Sequence, residues 1–176
     1  MLEGAAALYG ETDTGYLNRL KTLNRYYDKA GRLQEVRARV SKAYELSKMH
    51  LGPEHYISEV SRLLYYKLLV ADKNYGPATL VVKENIALLG DSEDDRFRRL
   101  DYLKQLFSLY GLSGRKAEEA QAIEDYLALE AELEIPPLEE SLPVIISLAK
   151  NYCERKMYRE FQSVMQRFEL EYVCER

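Results

Sequence analysis

Residues 14–55 read TGYLNRLKTLNRYYDKAGRLQEVRARVSKAYELSKMHLGPEH. Leu17, Leu20, Leu23, Asn24 and Tyr27 recur at the steps of one helix face. This spacing predicts a helix over about 16–29, closed by Gly31 as a C-cap residue. Leu33, Val36, Val40, Ala43 and Leu46 predict a second helix over about 33–50, stopped at Leu51-Gly52-Pro53. A helix pair of this kind leaves an apolar face that it cannot cover alone. Stacked copies cover it for one another.

The rest of the chain repeats the plan three times. Helix pairs are expected over about 54–72 and 75–89, 94–112 and 115–134, and 139–155 and 157–174. Pro77 suits a first helical turn, where its missing N–H has no partner to lose. Asp91-Ser92-Glu93-Asp94-Asp95 reads as an acidic cap that complements a helix dipole. Residues 1–13 are weakly patterned, an extension or the remnant of a preceding repeat. Residues 14–176 form the repeat domain, divided at 14–55, 56–93, 94–138 and 139–176. No window shows the alternation of a strand.

Composition agrees with a helical globular chain. Of 176 residues, 47% are apolar and 31% charged, and the 9 glycines and 5 prolines sit mostly between periodic segments. A net charge of −4 argues against nucleic acid as a partner, since phosphate contacts need a basic surface. No apolar run reaches the roughly 20 residues of a membrane span, and the run near Leu63–Ala71 is interrupted by Lys67. The N-terminus lacks the basic start and apolar core of a signal peptide, and the expected compartment is the cytoplasm. Two cysteines, Cys153 and Cys174, are too few for a disulfide framework and read as free, half-buried helix thiols.

Overlaying the four turns aligns Tyr27, Leu69, Tyr110 and Tyr152, spaced 42, 41 and 42 residues apart. Four positions after each stand Gly31, Lys73, Gly114 and Lys156, leading into GRLQEV, KNYGPA, GRKAEEA and KMYREF. The pattern resembles the tetratricopeptide repeat, and its long period with the LGPEH linker is similar to the kinesin light chain subtype. The likeness covers residues 14–176. It implies an all-α, right-handed α-solenoid of four helix-turn-helix repeats that binds partners. The departures are the turn lysines, Asn85 at a small apolar position, and one residue more after Gly114.

Nothing in the chain assembles a catalytic constellation. His50 and His55 flank a turn without the convergent ligands of a metal site. Glu118-Glu119 and Glu139-Glu140 read as helix-start carboxylates. The run GLSGRK, 111–116, lacks the glycine spacing and preceding strand of a phosphate loop. Arg37, Arg39 and Lys42 read as a solvated basic stripe.

The family resemblance implies that the first helix of each pair lines a concave surface. That places Asn18, Lys21, Arg25, Asp28, Leu63, Lys67, Val70, Lys104, Ser108 and Lys150 there, with Gly111, Ile146 and Cys153 beside them. This set holds five cations and one acid in an acidic protein. The family's carboxylate clamp is not reproduced: Arg25 and Lys67 stand where it has asparagine, and Asp101 and Gln105 where it has cations. The reading is a protein-interaction module, without a cofactor, that binds a protein or peptide partner of acidic character. The alternative is a ligand- or peptide-sensing regulatory domain of a larger signalling protein. Phe168, Leu170, Tyr172 and Val173 predict self-association through an uncovered last helix.

Overall fold

A computed structural model describes residues 10–135, 141–171 and 174. All regular elements among them are helical. They are α1 (Thr14–Lys29), a 3-10 turn (Leu33–Val36), α2 (Arg37–Leu51), α3 (Tyr56–Ala71), α4 (Tyr75–Ala87), α5 (Glu93–Leu112), α6 (Lys116–Glu132), α7 (Ser141–Glu154) and α8 (Tyr158–Arg167).

Polar side chains cap the starts of α1, α3 and α5. Asp13 Oδ1 accepts the N–H of Gly15 at 2.8 Å and of Tyr16 at 3.2 Å. His55 caps α3 through Nδ1, which accepts the Ile57 N–H at 3.1 Å. Ser92 accepts the Asp95 N–H, and its hydroxyl donates to Asp95 Oδ2 at 2.8 Å. The acidic run 91–95 is therefore a cap, with Glu93, Asp94 and Asp95 in the first turn.

The four turns share one geometry. The N–H groups of Arg32, Asn74, Arg115 and Met157 donate to the carbonyls of Tyr27, Leu69, Tyr110 and Tyr152 at 2.8–2.9 Å. Gly31, Lys73, Gly114 and Lys156 hold the left-handed conformation between them, at φ 69°, 56°, 70° and 58°. This is the six-to-one bond that closes a helix whose next residue turns left-handed. The two lysines depart from the glycine pattern in sequence but not in conformation. The turn after Gly114 also carries no extra residue, because each second helix or 3-10 turn begins two positions past its left-handed residue.

Three other expectations are corrected. The second helix of the first pair opens as a 3-10 turn. Val36, at φ −120°, separates it from α2, and Arg32 grips Glu35 at 2.6 Å across it. The last helix ends at Arg167, not near 174. Leu170 N–H returns to the Met165 carbonyl and Glu169 takes φ 51°, the terminator already seen at the turns. Cys153, in the last turn of α7, is disulfide-bonded to Cys174, with Cα atoms 5.8 Å apart. The cysteines are therefore not free thiols. Phe168 and Leu170, expected on an uncovered last helix, lie beyond its end, and Tyr172 and Val173 lie outside the described residues.

The chain divides into two compact units, one ending at Glu84 and the other beginning at Asn85. In the first, Tyr16, Leu17 and Leu20 of α1 pack with Ala43 of α2 and Ile57 of α3. Leu33, Val40, Leu64 and Leu68 form a second cluster. Ser47, Ser58 and Ser61 are fully buried, and small side chains there suit the close packing of α2 on α3. In the second unit, α5 packs on α6, α6 on α7 and α7 on α8. Leu103, Leu106, Ile123, Leu127, Leu148 and Phe161 are among its buried residues, each contributing roughly 1.5–3 kcal/mol on burial.

One ionic knot ties three helices of the first unit. Glu84 of α4 accepts from Tyr44 Oη and Lys48 Nζ of α2, both at 2.6 Å, and lies 3.5 Å from Arg62 Nη1 of α3. Burial pushes the Glu84 carboxyl up, but Lys48, Tyr44 and Arg62 together outweigh it and hold the carboxyl below its ordinary value of 4.5. A depressed carboxylate stabilises the fold above the unfolded value and loses that contribution as pH falls through the folded one. Glu84→Gln is therefore expected to cost about 1–2 kcal/mol at pH 7. The gap should narrow as pH falls below 4.5 and through the lowered folded value, where the native carboxylate is itself protonated. Urea melts of both proteins, followed stepwise from pH 7 into the acid range, measure it. A gap that stays constant across the whole range would mean that the charge is immaterial.

Candidate functional site

Seven of the expected residues lie on the first helices of the first unit, and four of them are exposed. Asn18 and Arg25 of α1 and Leu63 and Lys67 of α3 are exposed, Leu63 at 52%. Lys21 is not on the open surface. It is 6% exposed, its ammonium 4.5 Å from the centre of the Tyr56 ring. The aliphatic stem is buried against the packed helices while the charge finds the face of the aromatic ring. Asp28 is half-buried and pairs with Lys67, Oδ2 to Nζ, at 2.7 Å across α1 and α3. Val70 is half-buried.

Tyr56 is the functional candidate that the sequence reading missed. It stands at the start of α3 and is 55% exposed. Its ring carries Lys21, and its hydroxyl lies 3.5 Å from Arg25 Nη1, the far limit of a hydrogen bond. The signal was available in the spacing. Tyr56, Leu63 and Lys67 fall seven and four apart, one stripe of a helix. The surface is thus an exposed tyrosine and leucine flanked by the cations Arg25 and Lys67.

In the second unit, Lys104 and Ser108 of α5 and Lys150 of α7 are exposed on their helices. The Lys104 ammonium lies 5.3 Å from the centre of the Tyr126 ring, and the Ser108 hydroxyl donates to the Lys104 carbonyl at 2.8 Å. Ser108 therefore spends its donor on its own helix. Cys153 is committed to the disulfide. Ile146 is half-buried, while Phe97 and Leu112 of α5 and Leu142 of α7 are exposed apolar side chains.

The stripe Arg37, Arg39 and Lys42 is not a free basic face. Arg37 pairs with Asp72 at 2.8 Å and Lys42 with Glu11 at 2.6 Å. Arg39 Nε donates to Asn24 Oδ1 at 2.7 Å, and its guanidinium lies over the Tyr27 ring. Asn24 is 1% exposed, and its Nδ2 and Arg39 Nη2 are buried without acceptors. Counted from the turns, the same two positions are Tyr66 and Val81, Phe107 and Ala122, and Ala149 and Val164 in the later pairs. The polar pair is peculiar to the first hairpin.

The run 111–116 is a helix–helix turn, with the Ser113 hydroxyl donating to the Leu109 carbonyl at 2.7 Å. Glu118 pairs with Arg115 at 2.6 Å, and Glu119 accepts from Asn151 Nδ2 at 2.9 Å. Glu139 and Glu140 lie outside the described residues. Among the described residues, no three His, Cys, Asp or Glu side chains are grouped to hold a metal ion. No described helix is long and apolar enough to cross a membrane.

No family model and no curated protein matches the sequence. Solved structures do match the fold. A crystal structure of a putative kinesin light chain from Podosopora anserina, with nearly identical TPR-like repeats, superposes with a TM-score of 0.63 at 18% identity. It covers 94% of this chain and 81% of that one. A point variant of the same protein gives 0.62 at 18% identity, over 96% and 82%. The chain has the TPR-like helical-repeat fold of the kinesin light chain type. At this identity the likeness is one of fold.

Proposed function

We propose that the chain is a protein-interaction module whose first-helix surfaces take a peptide segment of acidic character. The observation that carries this reading is the α1–α3 surface, where Arg25 and Lys67 flank the exposed Tyr56 and Leu63. Carboxylates fit the cations through charge-assisted hydrogen bonds, and an apolar side chain fits the tyrosine and leucine. Lys104 and Lys150 are exposed cations on the first helices of the second unit. The likeness to a repeat fold used for protein contacts supports the general class, and the charge of the surface supports the narrower reading.

The test is direct titration. An acidic peptide with one central leucine is expected to bind at micromolar affinity, about −8 kcal/mol. Binding should weaken as salt shortens the Debye length below about 8 Å. Arg25→Glu with Lys67→Glu is expected to abolish binding while the helical circular-dichroism signal stays. Arg37→Glu with Lys42→Glu, on α2, is expected to do little. Equal binding of neutral and acidic peptides would remove the charge reading.

A further inference from the structure

The Lys67 ammonium does not wait free on its surface: Asp28 Oδ2 lies 2.7 Å from its Nζ, across two helices. The pair is partly open, with side chains 47% and 24% exposed. We infer that Asp28 is an intramolecular competitor, occupying Lys67 in the empty chain until an incoming carboxylate displaces it. This rests on the reading of the α1–α3 surface as the acidic-peptide surface.

The exchange has a physical consequence. Replacing one carboxylate by another on the same ammonium changes little in net energy, because an exposed ion pair is weak to begin with. The displaced Asp28 remains on α1 beside the new carboxylate and repels it. A ligand with a single carboxylate therefore gains almost nothing at Lys67. A ligand gains only when it also reaches Arg25 and covers Tyr56 and Leu63. Asp28 thus acts as a specificity-determining residue: it sets how much acidity and how many contacts a partner must bring. It also keeps Lys67 from holding free carboxylates from solution.

A double-mutant cycle tests this by fluorescence anisotropy with the leucine-centred acidic peptide. The four proteins are the wild type, Asp28→Asn, Lys67→Met and the double variant. Competition predicts that Asp28→Asn tightens binding by up to about fivefold in the wild-type background, the upper end of what freeing one exposed ion-pair partner can give. In the Lys67→Met background the gain should fall below about twofold, since no ammonium remains to be freed. An equal or larger gain in that background would mean simple repulsion, and the inference fails. A loss of affinity in Asp28→Asn would mean that Asp28 holds Lys67 in place for the partner, which also overturns it. No binding to any of the four would bring down the functional reading itself, and this inference with it. Melting curves confirm that the variants are folded, because both side chains are partly solvent-exposed.

Discussion

Reduction of the Cys153–Cys174 bond is expected to lower the stability of the second unit by about 3 kcal/mol. The bond joins residues 21 apart in sequence and so removes the freedom of that loop from the unfolded chain. It also ties Cys174, beyond α8, to the last turn of α7. Phe168 and Leu170, between α8 and Cys174, are half-buried. For a chain of this length the effect corresponds to a fall in Tm of roughly 6–12 °C. Melts of the oxidised chain with and without a reductant measure it. Cys153→Ser should melt like the reduced chain and ignore the reductant. Coincident curves for oxidised and reduced wild type would show that the bond adds nothing to stability. Disulfides persist in oxidising compartments and are reduced in the cytosol. The state of this pair in cells therefore decides which of the two stabilities applies.

The second large effect lies in the turns, where two substitutions at one register should act with opposite sign. Gly31→Val is expected to cost roughly 1–3 kcal/mol. Beyond its two chain neighbours, no heavy atom lies within 4 Å of where a Cβ would stand on Gly31, so the cost is not a clash with packed surroundings. It comes from φ 69°, a conformation that a β-branched residue adopts only under strain. Lys73 occupies the same place in the second hairpin at φ 56°. Lys73→Gly should relieve its strain, against a smaller loss from the greater freedom of glycine in the unfolded chain. The net expectation is a gain of about 0.5–1 kcal/mol. Urea midpoints of both variants check the pair. A destabilised Lys73→Gly would show that the lysine side chain contributes more at this turn than its backbone strain costs.

These two results lie on different sides of what could be read from the residues. The helical repeat was legible because its causes are local. Helix period, capping side chains and a left-handed residue four positions after each of Tyr27, Leu69, Tyr110 and Tyr152 act within a few residues of one another. The turn lysines are the instructive exception. Lysine does not announce a positive φ, yet the demands of a helix closing and reversing impose it at Lys73 and Lys156.

The candidate surface was legible only in part. Asn18, Arg25, Leu63 and Lys67, placed on first-helix faces by the family resemblance, are exposed, since helical spacing fixes the face on which a side chain stands. Spacing does not say what the neighbouring helix puts opposite. Lys21 was expected in solvent and lies on Tyr56, 35 positions away in the chain, and Asp28 meets Lys67 at a separation of 39. The Cys153–Cys174 bond likewise depends on α8 ending at Arg167. By itself, then, the sequence determined the helices, their turns and the charge carried by each face. The tertiary structure alone decided which of those charges meet, because that depends on how packing sets one helix against the next.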